Sequence, residues 1–151
     1  MEATDKFSQQ KRSRIMASIK SSNTSPEITV RKLLYKYGYR YRLHVKGLPA
    51  TPDIVLRKNN TVIFINGCFW HHHGCYISHL PKSNSEFWLK KIRRNLERDK
   101  ESVSKLLQLD WRILIIWECA ISGKKKLDQS ALIKKISTFL ESSLKTAAIE
   151  G

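Results

Sequence analysis

Hydrophobic and polar residues follow one another along this chain with spacings that predict an ordered series of helices and strands. Residues 11–20 (KRSRIMASIK) and 24–38 (TSPEITVRKLLYKYG) have apolar side chains three and four positions apart, which predicts two amphipathic helices, the first strongly basic. Residues 39–44 (YRYRLH) alternate as a strand does. The stretch 51–69 then predicts two strands joined by a polar Lys-Asn-Asn turn.

The second half of the chain carries longer patterns. Residues 83–109 repeat apolar positions over many turns and predict a long helix, and residues 111–119 form a nearly continuous apolar run typical of a buried strand. A last amphipathic helix is predicted at 128–144, and we expect residues 145–151 to form a flexible tail. Helices interleaved with strands predict the α/β class, with a mixed β-sheet flanked by helices.

The length of the chain indicates its number of domains, and its charge indicates a class of binding partner. A chain of 151 residues suits a single domain, of which residues 1–20 would form a basic N-terminal helix. Lys and Arg number 28 against 13 Asp and Glu, which leaves a net charge of +15. Such an excess indicates a polyanionic partner, because phosphate contacts supply most of the non-specific affinity for nucleic acid. A merely soluble cationic surface is the plainer alternative.

The sequence also indicates a compartment. No stretch approaches the roughly 18 apolar residues that span a bilayer, so we expect no membrane partner. Residues 1–14 lack the apolar core of a signal peptide. Three cysteines cannot pair off completely, which favours metal ligation in a reducing compartment over a disulfide framework. We expect a cytoplasmic protein associated with the nucleoid.

The loop 67–76 (GCFWHHHGCY) concentrates metal-binding side chains. Cys68 and Cys75 can supply two ligands, one histidine of the run a third, and Cys119 the fourth, which would make a closed structural zinc site. The spacing does not decide which histidine binds the metal. A histidine that does not bind it is a candidate general base or acid, or simply a solvated loop residue.

Three acidic residues lie at positions that are predicted to face or adjoin the core, where a charged side chain requires a partner or a function. Asp99 interrupts the apolar stripe of the long helix and is expected to point inward, to serve either a function or a salt bridge. The members of that stripe are Leu89, Ile92, Leu96, Val103 and Leu106. Glu27 lies on the apolar face of the second helix, although the helix dipole alone would favour an acid in the first turn. Asp53 opens a buried strand and suits a hard cation such as Mg²⁺, but Pro-Asp also begins many ordinary turns.

Two aromatic pairs accompany these groups. Phe69 and Trp70 belong to the Cys/His loop, and residues 87–88 (Phe-Trp) begin the long helix. Near a basic surface, such rings can wedge between bases or stack on them, whereas Trp111 and Trp117 belong to an apolar strand and are expected in the core.

Taken in order from about residue 10 to about residue 140, five segments resemble the very-short-patch repair endonucleases. They are SRIMASIKSSNTSPE, TPDIVL, FINGCFWHHHGCY, FWLKKIRRNLERD and WRILIIWECA. The resemblance implies the restriction-endonuclease-like fold with its PD-(D/E)xK core. It also implies Mg²⁺-assisted nicking of duplex DNA on the 5′ side of the thymine in a T:G mismatch, the product of 5-methylcytosine deamination.

The resemblance further implies a role for individual residues. Asp53 would bind the catalytic Mg²⁺ together with the main-chain carbonyl of Ile65, His71 would activate water, and Glu27 and Asp99 would orient the metal waters and the histidine. The implied structural zinc ligands are Cys68, His73, Cys75 and Cys119. The implied DNA contacts are the intercalating Phe69, Trp70 and Trp88, Met16 from the opposite groove, and Lys11, Arg12 and Arg14 on phosphates.

The chain departs from the family pattern at the end of the second predicted strand. Asn66 stands where other members carry an acidic residue or a histidine, and no lysine accompanies it. A standard two-metal arrangement is therefore in doubt, and His71 is expected to do more of the chemistry. Gly74 also shortens the histidine run without removing an implied ligand.

Alternatives and partners complete the hypothesis. A restriction-type or non-specific nicking enzyme could use the same core on matched DNA, and a zinc-stabilised DNA-binding module would need no catalytic residues at all. We expect a monomer, because an asymmetric mismatch offers no two-fold axis for a dimer. Mismatch-repair proteins are further candidate partners.

Overall fold

A computed structural model describes residues 8–18 and 22–151, without the side chains of residues 12 and 15–18. The helices within these ranges are α1 (Gln9–Ser18), α2 (Ser25–Lys36), α3 (Ser85–Gln108), α4 (Glu118–Ile121) and α5 (Gln129–Glu141). The strands are β1 (Arg42–Leu43), β2 (Ile54–Leu56), β3 (Thr61–Asn66), β4 (Arg112–Trp117) and β5 (Thr146–Ile149). No described helix is long and apolar enough to cross a bilayer.

The strands form one mixed sheet in the order β1-β2-β3-β4-β5. β1, β2 and β3 pair antiparallel, whereas β3, β4 and β5 pair parallel. Asn66 lies opposite Trp117, so β3 and β4 end at the same edge of the sheet. β2 begins near that edge, because Ile54 pairs with Ile63 in the opposite direction. The segments that carry the predicted site residues therefore meet there.

Helices cover both faces of this sheet, which confirms the predicted fold class. Residues of α2, α4 and α5 pack on one face with Ile54, Ile63 and Leu114. Leu106 of α3 packs on the other with Val62 and the remaining strand residues. Because the sheet is covered twice, its central strands are apolar on both sides, which accounts for the continuous apolar runs in the sequence.

Several local expectations were wrong in detail. The strand expected over 39–44 is reduced to β1, two exposed residues at the edge of the sheet. The tail expected over 145–151 instead contains β5, in which Ile149 is buried opposite Ile116 of β4. A short run of threonine and alanine has little strand signal of its own, so β5 depends on pairing with β4 rather than on local pattern. On α3, Leu89 of the predicted stripe is exposed.

Candidate active site and metal centre

A cleft of about 740 Å³ opens between α2, α3 and the sheet edge at which β3 and β4 end. It collects all six residues predicted for catalysis and magnesium binding. They are Glu27, Asp53, Ile65, Asn66, His71 and Asp99. They come from both halves of the chain, so the fold alone makes them neighbours.

Asp53 lies immediately before β2, and its carboxyl group has a raised pKa. Its Oδ2 accepts a hydrogen bond from the Ile65 amide at 2.7 Å, so the structure joins these two residues through the nitrogen of Ile65. Burial raises the pKa of Asp53 to about 6, even though this amide acts in the opposite direction. A carboxylate that is costly to ionise in this way gains from a nearby cation.

The turn that leads into Asp53 is strained. Ala50 and Thr51 have φ angles of +60° and +43°, in the left-handed region that non-glycine residues seldom adopt. For a β-branched residue such as Thr51 this conformation is particularly unfavourable, and such strain costs on the order of 1–3 kcal/mol per residue. Both residues line the cleft, so the strained turn forms part of the site.

Glu27 is held within the protein by specific partners. It is 3% exposed, and its Oε2 accepts hydrogen bonds from the Asn23 amide at 3.0 Å and from Nη2 of Arg31 at 2.9 Å. Nη2 of Arg31 also lies 3.1 Å from Nε2 of His44. Because a guanidinium only donates, a hydrogen bond between these two groups requires the His44 tautomer that accepts through Nε2. The helix dipole alone therefore does not account for Glu27.

His71 and Asp99 form a hydrogen-bonded pair in the cleft. Nδ1 of His71 lies 2.5 Å from Oδ2 of Asp99, which reaches it from α3. The Asp99 side chain is 37% exposed, so it points into the open cleft and not into the core as expected. A carboxylate at Nδ1 favours the tautomer with its hydrogen there, which leaves Nε2 as the proton acceptor.

Two further side chains line the cleft at the ends of adjacent strands. Asn66, the last residue of β3, is 8% exposed. Glu118 follows β4 directly, and burial raises its pKa. Sequence reasoning missed Glu118, although an acid immediately after a buried strand is a signal that could have found it. No lysine is among the described residues that line this cleft.

The four cysteine and histidine side chains named above come together beside the cleft. The ligand atoms of Cys68, His73, Cys75 and Cys119 all lie within 4.8 Å of one another. Nδ1 of His73 lies 3.7 Å from Sγ of Cys68 and 3.6 Å from Sγ of Cys119, whereas His72 is exposed. The fold thus selects one histidine from the run, which the spacing could not do.

The chemistry of this cluster suits a metal ion. Its three cysteines are free, and Cys68 and Cys119 are buried. Burial raises the pKa of Cys68. Burial also acts to raise the pKa of Cys75, but the Ile77 amide and the other ligand side chains outweigh it and lower that pKa to about 7. Four donors of these types in one closed group can hold a metal.

Aromatic rings form a cluster at the mouth of the cleft. The ring centroids of Phe69, Trp70 and Trp88 lie 5.1–5.9 Å apart, in edge-on or tilted contact. Phe87 extends the group outward and is 57% exposed. Nζ of Lys91 lies 5.1 Å from the Trp70 ring, which brings a positive charge to the aromatic surface. We call Phe69, Trp70, Phe87 and Trp88 the aromatic cluster.

Trp111 and Trp117 were both expected in the core, but the structure gives them different surroundings. Trp111 packs in the core between α3 and the sheet. Trp117 stacks on the imidazole of His73, with ring centroids 4.1 Å apart and planes 11° apart.

A second groove, lined by basic and acidic side chains of α3, adjoins the cleft and was not predicted. Its volume is about 890 Å³, and it shares Trp70, His71 and Asp99 with the cleft. Lys91, Arg98 and Lys105 project into it from one side of α3. On α1, Lys11 and Arg14 are exposed, whereas the side chains of Arg12 and Met16 lie outside the described residues.

The mixed sheet, with Asp53 before β2 and Glu118 after β4 beside one cleft, is typical of nucleases of the restriction-endonuclease-like class, which share a PD-(D/E)xK-type core. Residues 4–77 match the family model described as DNA mismatch endonuclease Vsr. The chain is 42% identical over 129 residues to the DNA mismatch endonuclease Vsr of Escherichia coli, covering 85% of this chain and 83% of that protein. The chain therefore belongs to the Vsr family and is a DNA endonuclease.

Other relatives are named as nicking enzymes. The type II nicking enzyme V.XorIIP of Xanthomonas oryzae pv. oryzae is 43% identical over 140 residues, which is 93% of this chain and 99% of that protein. The type II nicking enzyme V.NmeAIP of Neisseria meningitidis is 46% identical over 121 residues, 80% of this chain and 86% of that protein.

Proposed function

We propose that this endonuclease nicks duplex DNA on the 5′ side of the thymine in a T:G mismatch, the lesion left when 5-methylcytosine deaminates. The observation that carries the proposal is the adjacency of Trp70 and His71. Trp70 belongs to the aromatic cluster, and the next residue lines the cleft and pairs with Asp99 at 2.5 Å. If the Trp70 ring enters the duplex, the His71 side chain would therefore lie next to the phosphate beside the opened base step.

A mismatch suits this arrangement energetically. An apolar wedge between base steps costs a few kcal/mol of stacking, and a mismatched base costs less to displace. The cluster joins aromatic faces to the charge of Lys91, which suits bases on one side and phosphates on the other. The family relationship to a protein named as a DNA mismatch endonuclease supports the same choice.

His71 is the proposed general base. Its Nδ1–H donates to Asp99, so Nε2 takes the proton from the attacking water, and the carboxylate stabilises the imidazolium that results. The pair also fixes the ring against rotation, because Asp99 belongs to the long helix α3 and His71 to the loop.

The oxygen donors of the cleft fit a Mg²⁺ ion. Asp53 would hold it with the main-chain carbonyl of Ile65, and the burial of Asp53 makes a cation favourable there. When bound, the ion supplies charge stabilisation to the scissile phosphate and to the leaving 3′ oxygen. Glu27 would orient water beside Asp53. Asn66 offers a neutral amide where an acid would bind metal more strongly, which favours a single catalytic ion over two.

The Cys/His cluster fits a structural Zn²⁺ ion. Three thiolates and one imidazole make a complete tetrahedral set, with no position left open for substrate. Its role would be to hold the loop after β3, which carries both Trp70 and His71. Zinc would thus stabilise the site without entering the reaction.

The proposed enzyme acts as a monomer, because the two strands of a mismatched site have different roles. Light scattering of the complex should then give one chain per duplex. Mismatch-repair proteins would act on the nicked product.

The test is a nicking assay on one labelled duplex with a T:G mismatch and on its T:A counterpart, with and without Mg²⁺. Mg²⁺-dependent cutting of the thymine strand of the mismatched duplex alone would support the proposal. Equal cutting of both duplexes would replace it with a nicking enzyme for matched DNA. Tight binding to both without cutting would leave a zinc-stabilised DNA-binding protein.

A further inference from the structure

The last two residues of the sequence reach the Cys/His cluster. Oε2 of Glu150 lies 2.7 Å from Nε2 of His73. The Gly151 amide donates to Sγ of Cys119 at 3.4 Å. Both contacts follow from the register of β5, because Ile149 pairs with Ile116 and the chain leaves the sheet beside the residues that follow β4.

Three independent contacts fix the imidazole of His73. Its Nδ1 faces the sulfur atoms of Cys68 and Cys119 at 3.7 and 3.6 Å, its Nε2 faces Glu150, and its plane stacks on Trp117 at 4.1 Å. A carboxylate at Nε2 favours the tautomer with its hydrogen on Nε2, so the Nδ1 lone pair points at the cysteines. This is the arrangement by which carboxylates orient histidine ligands and raise their basicity.

Glycine is required at position 151 for steric reasons. A Cβ atom there would lie 2.2 Å from the carbonyl oxygen of Cys119 and 2.5 Å from that of Lys125. Both obstacles are backbone atoms, which cannot rotate away as a side chain can. The close approach lets the Gly151 amide reach the Cys119 sulfur, where an N–H donor stabilises a thiolate.

We propose that Glu150 and Gly151 form the outer shell of the metal centre, Glu150 by orienting His73 and Gly151 by donating to Cys119. This inference rests on the proposed zinc site. The pairing of β5 with β4 is thereby coupled to metal binding, because the strand delivers both residues. Glu150 acts through His73 and is a positioning residue, not a ligand.

The experiment measures Zn²⁺ affinity by competition with a chromophoric chelator, in full-length protein. Glu150→Ala should weaken affinity about 10- to 100-fold, the usual effect of losing such a partner. Glu150→Gln keeps an oxygen acceptor for Nε2–H and should fall between Ala and the wild type. Glu141→Ala, which removes an exposed carboxylate at the end of α5, is the matched control and should bind as the wild type does.

Gly151→Ala tests the second contact and should also weaken binding, because its Cβ displaces the amide. Glu150 is exposed, so its variants should fold, and circular dichroism of the zinc-loaded proteins checks this. Wild-type affinity in Glu150→Ala, with zinc bound normally by the wild type, would overturn this inference alone. A wild type that binds no zinc would overturn the metal centre with it.

Discussion

Oε2 of Glu27 and Nη2 of Arg31 lie 2.9 Å apart, with 4% and 11% of their side chains exposed. The two residues are one helical turn apart on α2, and Glu27 lines the cleft. An ion pair removed from water in this way is strongly coupled, because loss of either partner leaves the other charge buried.

Arg31→Met should therefore lower the free energy of unfolding by about 3 kcal/mol. It should also lower kcat more than it changes KM, because Glu27 loses its orientation. Urea denaturation and the nicking assay measure the two effects. Arg31→Lys keeps the charge and should recover part of both.

The matched control uses the same spacing on a surface. Glu101 and Lys105 form an i,i+4 pair at 2.8 Å on α3, with more than half of each side chain exposed. Lys105→Met should leave stability unchanged within error, since exposed pairs are screened by solvent. If Arg31→Met and Lys105→Met lowered the free energy of unfolding equally, burial would not be the reason for the effect of Arg31→Met.

Asp53→Asn should abolish nicking in the presence of Mg²⁺. In buffer without added Mg²⁺, the same variant should be more stable than the wild type. The pKa of Asp53 is about 6 in the folded state against an ordinary value of 3.8, so the folded protein binds this proton more tightly than the unfolded chain. The contribution of the protonated Asp53 carboxyl group to the free energy of unfolding is complete below pH 3.8 and is lost as the pH rises to about 6. The gain in Asp53→Asn should therefore approach about 3 kcal/mol at pH 8 and shrink towards pH 4.

Thermal unfolding of wild type and variant across this range measures the difference. Asp110→Asn, which removes an exposed aspartate that already has a positive φ, is the control for loss of a surface carboxylate. A constant difference between wild type and Asp53→Asn at all pH values would contradict the assigned pKa.

His71→Ala should lower kcat by at least about 100-fold, the usual contribution of a general base, and leave the melting temperature unchanged. Asp99→Asn should give a smaller loss, because an amide oxygen still accepts from Nδ1–H but carries no charge. Single-turnover nicking of the mismatched duplex measures both rates. Activity of His71→Ala near that of the wild type would remove this histidine from the mechanism.

Cys119→Ser should destabilise the whole domain, on the order of 5 kcal/mol, because a structural metal contributes directly to folding. A strong chelator should lower the melting temperature of the wild type and have little further effect on the variant. A variant that folds and nicks normally would show that the cluster has no structural role.

Trp88→Ala should weaken binding of the mismatched duplex by about 1–3 kcal/mol, the contribution of one aromatic–base stack. Tyr35→Ala is the control, since Tyr35 is a highly exposed ring on α2 outside the aromatic cluster. Fluorescence anisotropy with T:G and T:A duplexes measures the affinities. Similar losses in both variants would argue against a specific wedge.

Periodicity was sufficient for the elements that have strong local patterns. The long helix α3 and the buried strand β4 were both predicted nearly to their ends, because each repeats its pattern over many residues. β5 was missed, because a strand of small residues is specified by its partner. Glu150 was missed for the same reason, since only the sheet register brings it to His73.

The candidate site was predictable where unusual residue types cluster in sequence. Three cysteines and a histidine run indicate a metal without any structure. Arg31 and His44 gave no such signal, because a basic residue four positions after an acid is ordinary on a helix surface. Asp99 was noticed for its place in the apolar stripe, but its partner His71 is 28 residues away, so their pairing was implied by the family resemblance and not by the local pattern.

Under the proposed function, the loop between β3 and α3 would relate the position of the mismatch to the position of the cut. Trp70 and His71 are consecutive, so their Cα atoms lie about 3.8 Å apart, and the ring proposed to open a base step is carried next to the imidazole proposed to activate water. The loop would then allow only one spacing between the inserted ring and the cleaved phosphate. In the proposed enzyme, the offset between mismatch and cut would thus depend on a single peptide bond, whereas contacts elsewhere on the protein could vary without changing it.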